Sequence, residues 1–171
     1  MTTTVQLNQV NLGAVSQLVA AIQTHPSKAR TTWGARVDWT GSFSSRATIR
    51  QFDPIVSDEP KTLGGSDAAP NPVEQLLSAL GNCLAVGYAA NATIAGIEIE
   101  DLSITVEGVL DLHVFLGLAD GHAGFSSIRA TVDLRSTADA DQLAELHAKV
   151  AATSPVGHTL QAAVPLTIEV G

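Results

Sequence analysis

The longest stretch of helical patterning runs over residues 70–96, PNPVEQLLSALGNCLAVGYAANATIAG. Asn71 is placed to cap it, Pro72 suits a first helical turn, and Gly96 suits the stop. About 24 residues at 1.5 Å each make a rod of about 36 Å. A rod so rich in Leu, Ala and Gly and so poor in charge is expected to be covered on most sides. On its helical wheel Leu76, Ala79, Leu80, Gly87 and Ala90 lie within about 60° of Cys83, whereas Glu74 points about 180° away. The cysteine therefore sits on a narrow apolar face, and any group that activates it must come from another segment or another subunit.

Other elements follow in chain order. Residues 12–23 (LGAVSQLVAAIQ) read as an amphipathic helix on the outside of the domain. Residues 31–39 and 47–55 read as strands of a hairpin around the turn TGSFSS. The following loop, VSDEPKTLGGSDAAPNP, is long enough to carry function. Residues 97–117 alternate as one long or bent strand, and residues 125–135 form its antiparallel partner. Residues 139–152 give a helix with Asp139 at its start, Ser154-Pro155 opens a short turn or helix through residue 160, and VPLTIEV (164–170) closes the chain as a strand. The order predicts one α+β domain over residues 1–171 with an antiparallel sheet over the central helix. Its parts are an N-terminal helical segment (1–29), a hairpin and loop (30–69), the cysteine helix (70–96) and the remainder (97–171).

Composition narrows the function classes. A hydrophobic content of 45% with 15% charged residues excludes a disordered chain. The net charge of −8 argues against nucleic acid and anionic membrane as partners. Glu74, Gln75, Asn82 and Asn91 make the long helix a poor membrane segment, and the start of the chain lacks the pattern of a signal peptide, so a cytoplasmic location is expected. A single cysteine excludes an internal disulfide.

Cys83 has two open readings, a small buried hydrophobe or a reactive thiol. The five histidines (His25, His113, His122, His147, His158) show no metal-binding spacing, and neither a metal nor a cofactor is expected. His158, after the small SPVG turn, is the histidine best placed to pair with the cysteine. Arg36 and Arg50 of the hairpin region are candidates for stabilising a thiolate. Glu59, in the Asp58-Glu59-Pro60 turn, and Glu74 are candidate carboxylates, turn chemistry being the alternative for the former.

Two motifs taken together resemble the OsmC/Ohr family. PNPVEQLLSALGNCLAVGY resembles the pattern PNPxELLLAALGxC of that family's central helix. SPVGHTL resembles its second motif, CPVxxTL, with Ser154 standing at the place of the second cysteine. ARVDWTG, IRQFD and LGG are similar to its opening hairpin, so the resemblance covers roughly residue 31 to the end. It implies an intertwined homodimer in which antiparallel sheets wrap around paired central helices and each subunit lends strands to the other. It also implies a peroxidase of hydroperoxides, with Cys83 as the nucleophile that becomes a sulfenic acid. The chain departs from the peroxidase pattern twice. Ser154 cannot form a disulfide, so turnover would need an external thiol, and Val73 stands where a glutamate usually follows the proline. The expected pocket is apolar, lined by Leu76, Ala79 and Leu80, and suits organic hydroperoxides; a silent dimer binding a small apolar ligand is the alternative.

Overall fold

The structure, a computed structural model, describes residues 6–171; residues 1–5, the start of the expected N-terminal segment, lie outside the described residues. The chain falls into two compact units. One comprises residues 13–76, and the other joins the N-terminal residues through Leu12 to residues 77–171. The first contains most of helix α1 (Leu12–Thr24) and a three-stranded antiparallel sheet of β1 (Arg36–Gly41), β2 (Ser44–Thr48) and β3 (Ile55–Ser57) in the order β1-β2-β3. Helix α2 (Pro72–Ile94) begins there and continues into the second unit. The second unit then adds a long hairpin of β4 (Ile99–Leu110) and β5 (Phe125–Ser136), helix α3 (Leu112–Phe115) between its strands, and helices α4 (Ala140–Thr153) and α5 (Pro155–Gln161).

Helix α2 starts where local chemistry dictates. Asn71 Oδ1 accepts the Glu74 N–H at 2.9 Å, and Glu74 Oε2 accepts the Asn71 N–H at 2.8 Å, a reciprocal cap. Gly96 ends it with φ of +74°, a conformation cheap only for glycine. A second reciprocal cap, between Asp139 and Gln142, starts α4.

The second unit holds the larger core. Tyr88, Ala92, Ile97, Leu146 and Val150 are buried together, with Leu84, Leu102, Ile104, Val132 and Leu134 packed against them. The alternation of β4 and β5 turns those strand residues to the helices and leaves Glu100, Ser103, Thr105 and Asp133 outward. Gly87 lets α4 come close to α2, because a Cβ there would stand 3.0 Å from Val150 Cγ1.

Five expectations need correction. Residues 97–117 are not one strand: Asp111 accepts the His113 N–H at 2.8 Å and caps α3, which ends β4 at Leu110. Residues 47–55 are not one strand either, because Arg50 takes φ of +52° and turns the chain between β2 and β3. The first strand begins at Arg36 rather than residue 31. Residues 164–170 form no strand, and Leu166 and Ile168 are 83% and 86% exposed, since a strand needs an edge to bond to and this segment meets none among the described residues. Helix α2, expected to be covered on most sides, leaves Val86 and Ile94 70% and 67% exposed.

Candidate functional site

Cys83 lies in the middle of α2, half-buried, in the second unit. Its sulfur is 3.3 Å from the hydroxyl oxygen of Ser154. Ser154 is the single residue between α4 and α5, and it is buried. Its position there is fixed by the sequence: Pro155 starts α5, and the residue before it is held extended, with ψ of 110°. The Ser154 hydroxyl then accepts the Gly157 N–H at 3.1 Å, capping α5. The residues that resemble a second cysteine motif are thus brought against Cys83 across 71 positions of sequence.

Two concave surfaces meet at Ser154. On the Cys83 side is an open groove of about 440 Å³, bordered by Asn82, Val86, Gly87, Ala90, Thr153 and Pro155. On the other side is a cavity of about 490 Å³ lined by Leu80, Leu84, Tyr88, Phe125, Ile128 and Val132 among others. The expected apolar wall is therefore distributed unevenly. Leu80 lines the cavity, and Cys83, Gly87 and Ala90 share the groove, whereas Leu76 and Ala79 border neither.

The charged candidates all belong to the other unit and are engaged there. Arg36 donates from Nε and Nη2 to Asp38 at 3.0 and 2.8 Å on exposed β1. The Arg50 guanidinium lies 4.6 Å from the centre of the Phe52 ring. Glu74 serves the α2 cap, and Glu59 accepts from Asn71 Nδ2 at 3.4 Å. His158 does not pair with the cysteine: its Nε2 is bound to the Ala152 carbonyl at 3.0 Å. No group of three or more His, Cys, Asp or Glu among the described residues is placed to hold a metal ion. Among them, no helix is long and apolar enough to cross a membrane.

Sequence reasoning missed three polar arrangements. Tyr88, 5% exposed, meets His147 Nδ1 through its hydroxyl at 2.7 Å, and burial pushes its phenol up from the ordinary value. Asn8 donates to Thr93 Oγ1 at 3.0 Å and to the Ile97 carbonyl at 2.9 Å, and accepts the Ile99 N–H at 2.9 Å. Asp58 is the centre of the loop before α2. A polar residue in an apolar helical pattern, as with Tyr88, was the available signal for the first; the partners of the other two are not marked locally.

Comparison with known proteins adds to this geometry. Residues 64–169 match the family model described as OsmC-like protein. The YmaD protein of Bacillus subtilis (strain 168) is 28% identical over 140 residues, which cover 78% of this chain and 89% of YmaD. The crystal structure of an OsmC-like protein from Mycoplasma pneumoniae superimposes with a TM-score of 0.67 at 23% identity, covering 77% of this chain and 88% of that one. An organic hydroperoxide resistance protein from Elizabethkingia anophelis gives a TM-score of 0.57 at 16% identity, covering 77% and 89%. At these identities the two structures establish a shared fold.

Proposed function

The chain belongs to the OsmC-like protein family, and on that premise we propose that it is a thiol-dependent peroxidase that reduces organic hydroperoxides, with Cys83 as its single peroxidatic cysteine and an external thiol as reductant. The observation that carries the reading is the half-buried Cys83 sulfur, at the wall of an open groove and hydrogen-bonded to the residue that replaces the second cysteine. The Cys83 thiolate attacks the terminal oxygen of the hydroperoxide; the S–O bond forms as the O–O bond breaks, and the leaving alkoxide takes a proton to become an alcohol. The sulfenic acid on Cys83 then condenses with one external thiol, releasing water, and a second thiol reduces that mixed disulfide and leaves as the oxidised reductant.

The same reading includes a homodimer in the cytoplasm. Trp33 and Trp39 are 80% and 75% exposed, Val86 and Ile94 on α2 are bare, and the alternating segment after α5 has no neighbouring strand among the described residues. Apolar surface of this extent is what an obligate partner covers. A second subunit would also bring its own Arg36, Arg50, Glu59 and Glu74 as candidates to act at Cys83. Sedimentation at micromolar concentration should give about twice the 17.7 kDa of one chain; a stable species of single-chain mass contradicts the dimer.

Cys83→Ser removes the nucleophile, so hydroperoxide consumption with a thiol reductant should fall to the uncatalysed rate while the fold is kept. Unchanged consumption by that variant sinks the peroxidase. The alternative, a silent dimer that takes up a small apolar ligand, is favoured by the mostly aliphatic and aromatic cavity beyond Ser154. It predicts that the wild-type protein consumes no peroxide in the same assay.

A further inference from the structure

Ser154 is 5% exposed and has two partners at its hydroxyl, the Gly157 N–H at 3.1 Å and the Cys83 sulfur at 3.3 Å. A serine hydroxyl carries one proton and two acceptor lone pairs. The Gly157 amide can only donate, so it occupies a lone pair and leaves the hydroxyl proton to find an acceptor. Among the hydrogen bonds of the described residues, the acceptor within reach of that proton is the Cys83 sulfur. An N–H directed into the same oxygen polarises the O–H bond and strengthens it as a donor. While the thiol keeps its proton, either Sγ or Oγ serves as donor; once the proton is gone, the direction is fixed from oxygen to sulfur.

We infer that Ser154 is a positioning residue whose hydroxyl donates to the Cys83 thiolate and holds the charged sulfur at the wall of the groove. The use of that hydrogen bond rests on the peroxidase reading; its geometry does not. Serine suits the role in a way a second cysteine would not. The hydroxyl is a stronger donor than a thiol, and it cannot condense with a sulfenic acid to form a disulfide. Oxidised Cys83 therefore stays available to a reductant from outside instead of being closed off from within.

The test is the rate of Cys83 alkylation by iodoacetamide as a function of pH, in the full-length wild type, Ser154→Ala and Ser154→Thr, with Cys83→Ser as the blank. A hydrogen bond to the charged form is lost in Ser154→Ala. Its alkylation at neutral pH should slow about tenfold while the limiting rate in alkali is retained. Ser154→Thr keeps both the α5 cap and the donor and should restore the wild-type profile. A purely structural role would instead alter the rate at every pH through access to the sulfur. The inference is overturned if Ser154→Ala keeps the wild-type profile, or if Ser154→Thr melts like the wild type yet behaves like the alanine variant. Peroxide consumption in the same preparations separates the two ideas. Cys83-dependent turnover with no Ser154 effect removes this inference alone, and a Ser154 effect in a protein without turnover removes the peroxidase reading alone.

Discussion

Ser154→Cys should convert a protein with one thiol into one that closes a disulfide when it meets peroxide. The Cys83 sulfur and the Ser154 oxygen are 3.3 Å apart, and a disulfide needs 2.03–2.05 Å, so the two side chains must close by about 1.2 Å. The longer C–S bond of the introduced thiol takes up part of that distance. The rest falls on the short junction between α4 and α5, where Ser154 stands. One equivalent of an organic hydroperoxide should first give the Cys83 sulfenic acid and an alcohol; the neighbouring thiol then displaces water and the S–S bond forms. Titratable thiols per chain should drop from about two to about zero, with a mass two hydrogens below the reduced variant. The bond would span 71 positions and stabilise the oxidised variant by about 2–4 kcal/mol. Persistence of both thiols after peroxide would show that Cys83 is not oxidised or that the pair does not meet.

Asp58→Ala should loosen the loop that leads into α2. Asp58 is 1% exposed, and its carboxylate accepts from the Ser66 hydroxyl and from the N–H groups of Ala68, Glu59 and Ser66, at 3.1, 2.9 and 3.0 Å for the amides. An alanine leaves all four donors without that partner, so the melting temperature should fall by several degrees and the loop should become sensitive to proteases. The same bonds, the Ser66 hydroxyl first and the Ala68 amide next, pull the carboxyl down to about 2. A depressed carboxyl contributes its stability fully above the unfolded value of about 3.9 and loses it as pH falls toward the folded one. Acid titration should therefore weaken the wild type between about pH 4 and pH 2. In Asp58→Ala that component should be missing from the acid transition. Equal melting temperatures and equal acid profiles would contradict this role.

What could be read from the sequence was what the chain encodes locally. The cap at Asn71 and Pro72, the apolar period through Cys83 and the glycine at 96 lie within one helix, and α2 was placed to within two residues at its C-terminal end. The alternation over residues 99–110 and 125–136 is equally local, and so is the Asp139 cap of α4. The errors arose where one side chain overrode a longer pattern. Asp111 stops β4 although the hydrophobic pattern runs on, and Arg50 bends a segment that otherwise reads as a strand. VPLTIEV has the period of a strand, but that period does not say whose edge it would join. The site was legible in part, because two motifs in order pointed to Cys83 and Ser154 as a pair. Their contact, and the Tyr88–His147 and Asn8–Thr93 contacts, link residues 59 to 85 positions apart with no periodic mark, so spacing alone does not disclose them.

The most direct measurement is the mass of the wild-type protein after one equivalent of an organic hydroperoxide, without reductant and with a sulfenic-acid trap present. The label should fall on the peptide containing Cys83, and the Cys83→Ser protein treated in the same way should carry none. A Cys83 that stays reduced while the hydroperoxide stays intact would contradict it.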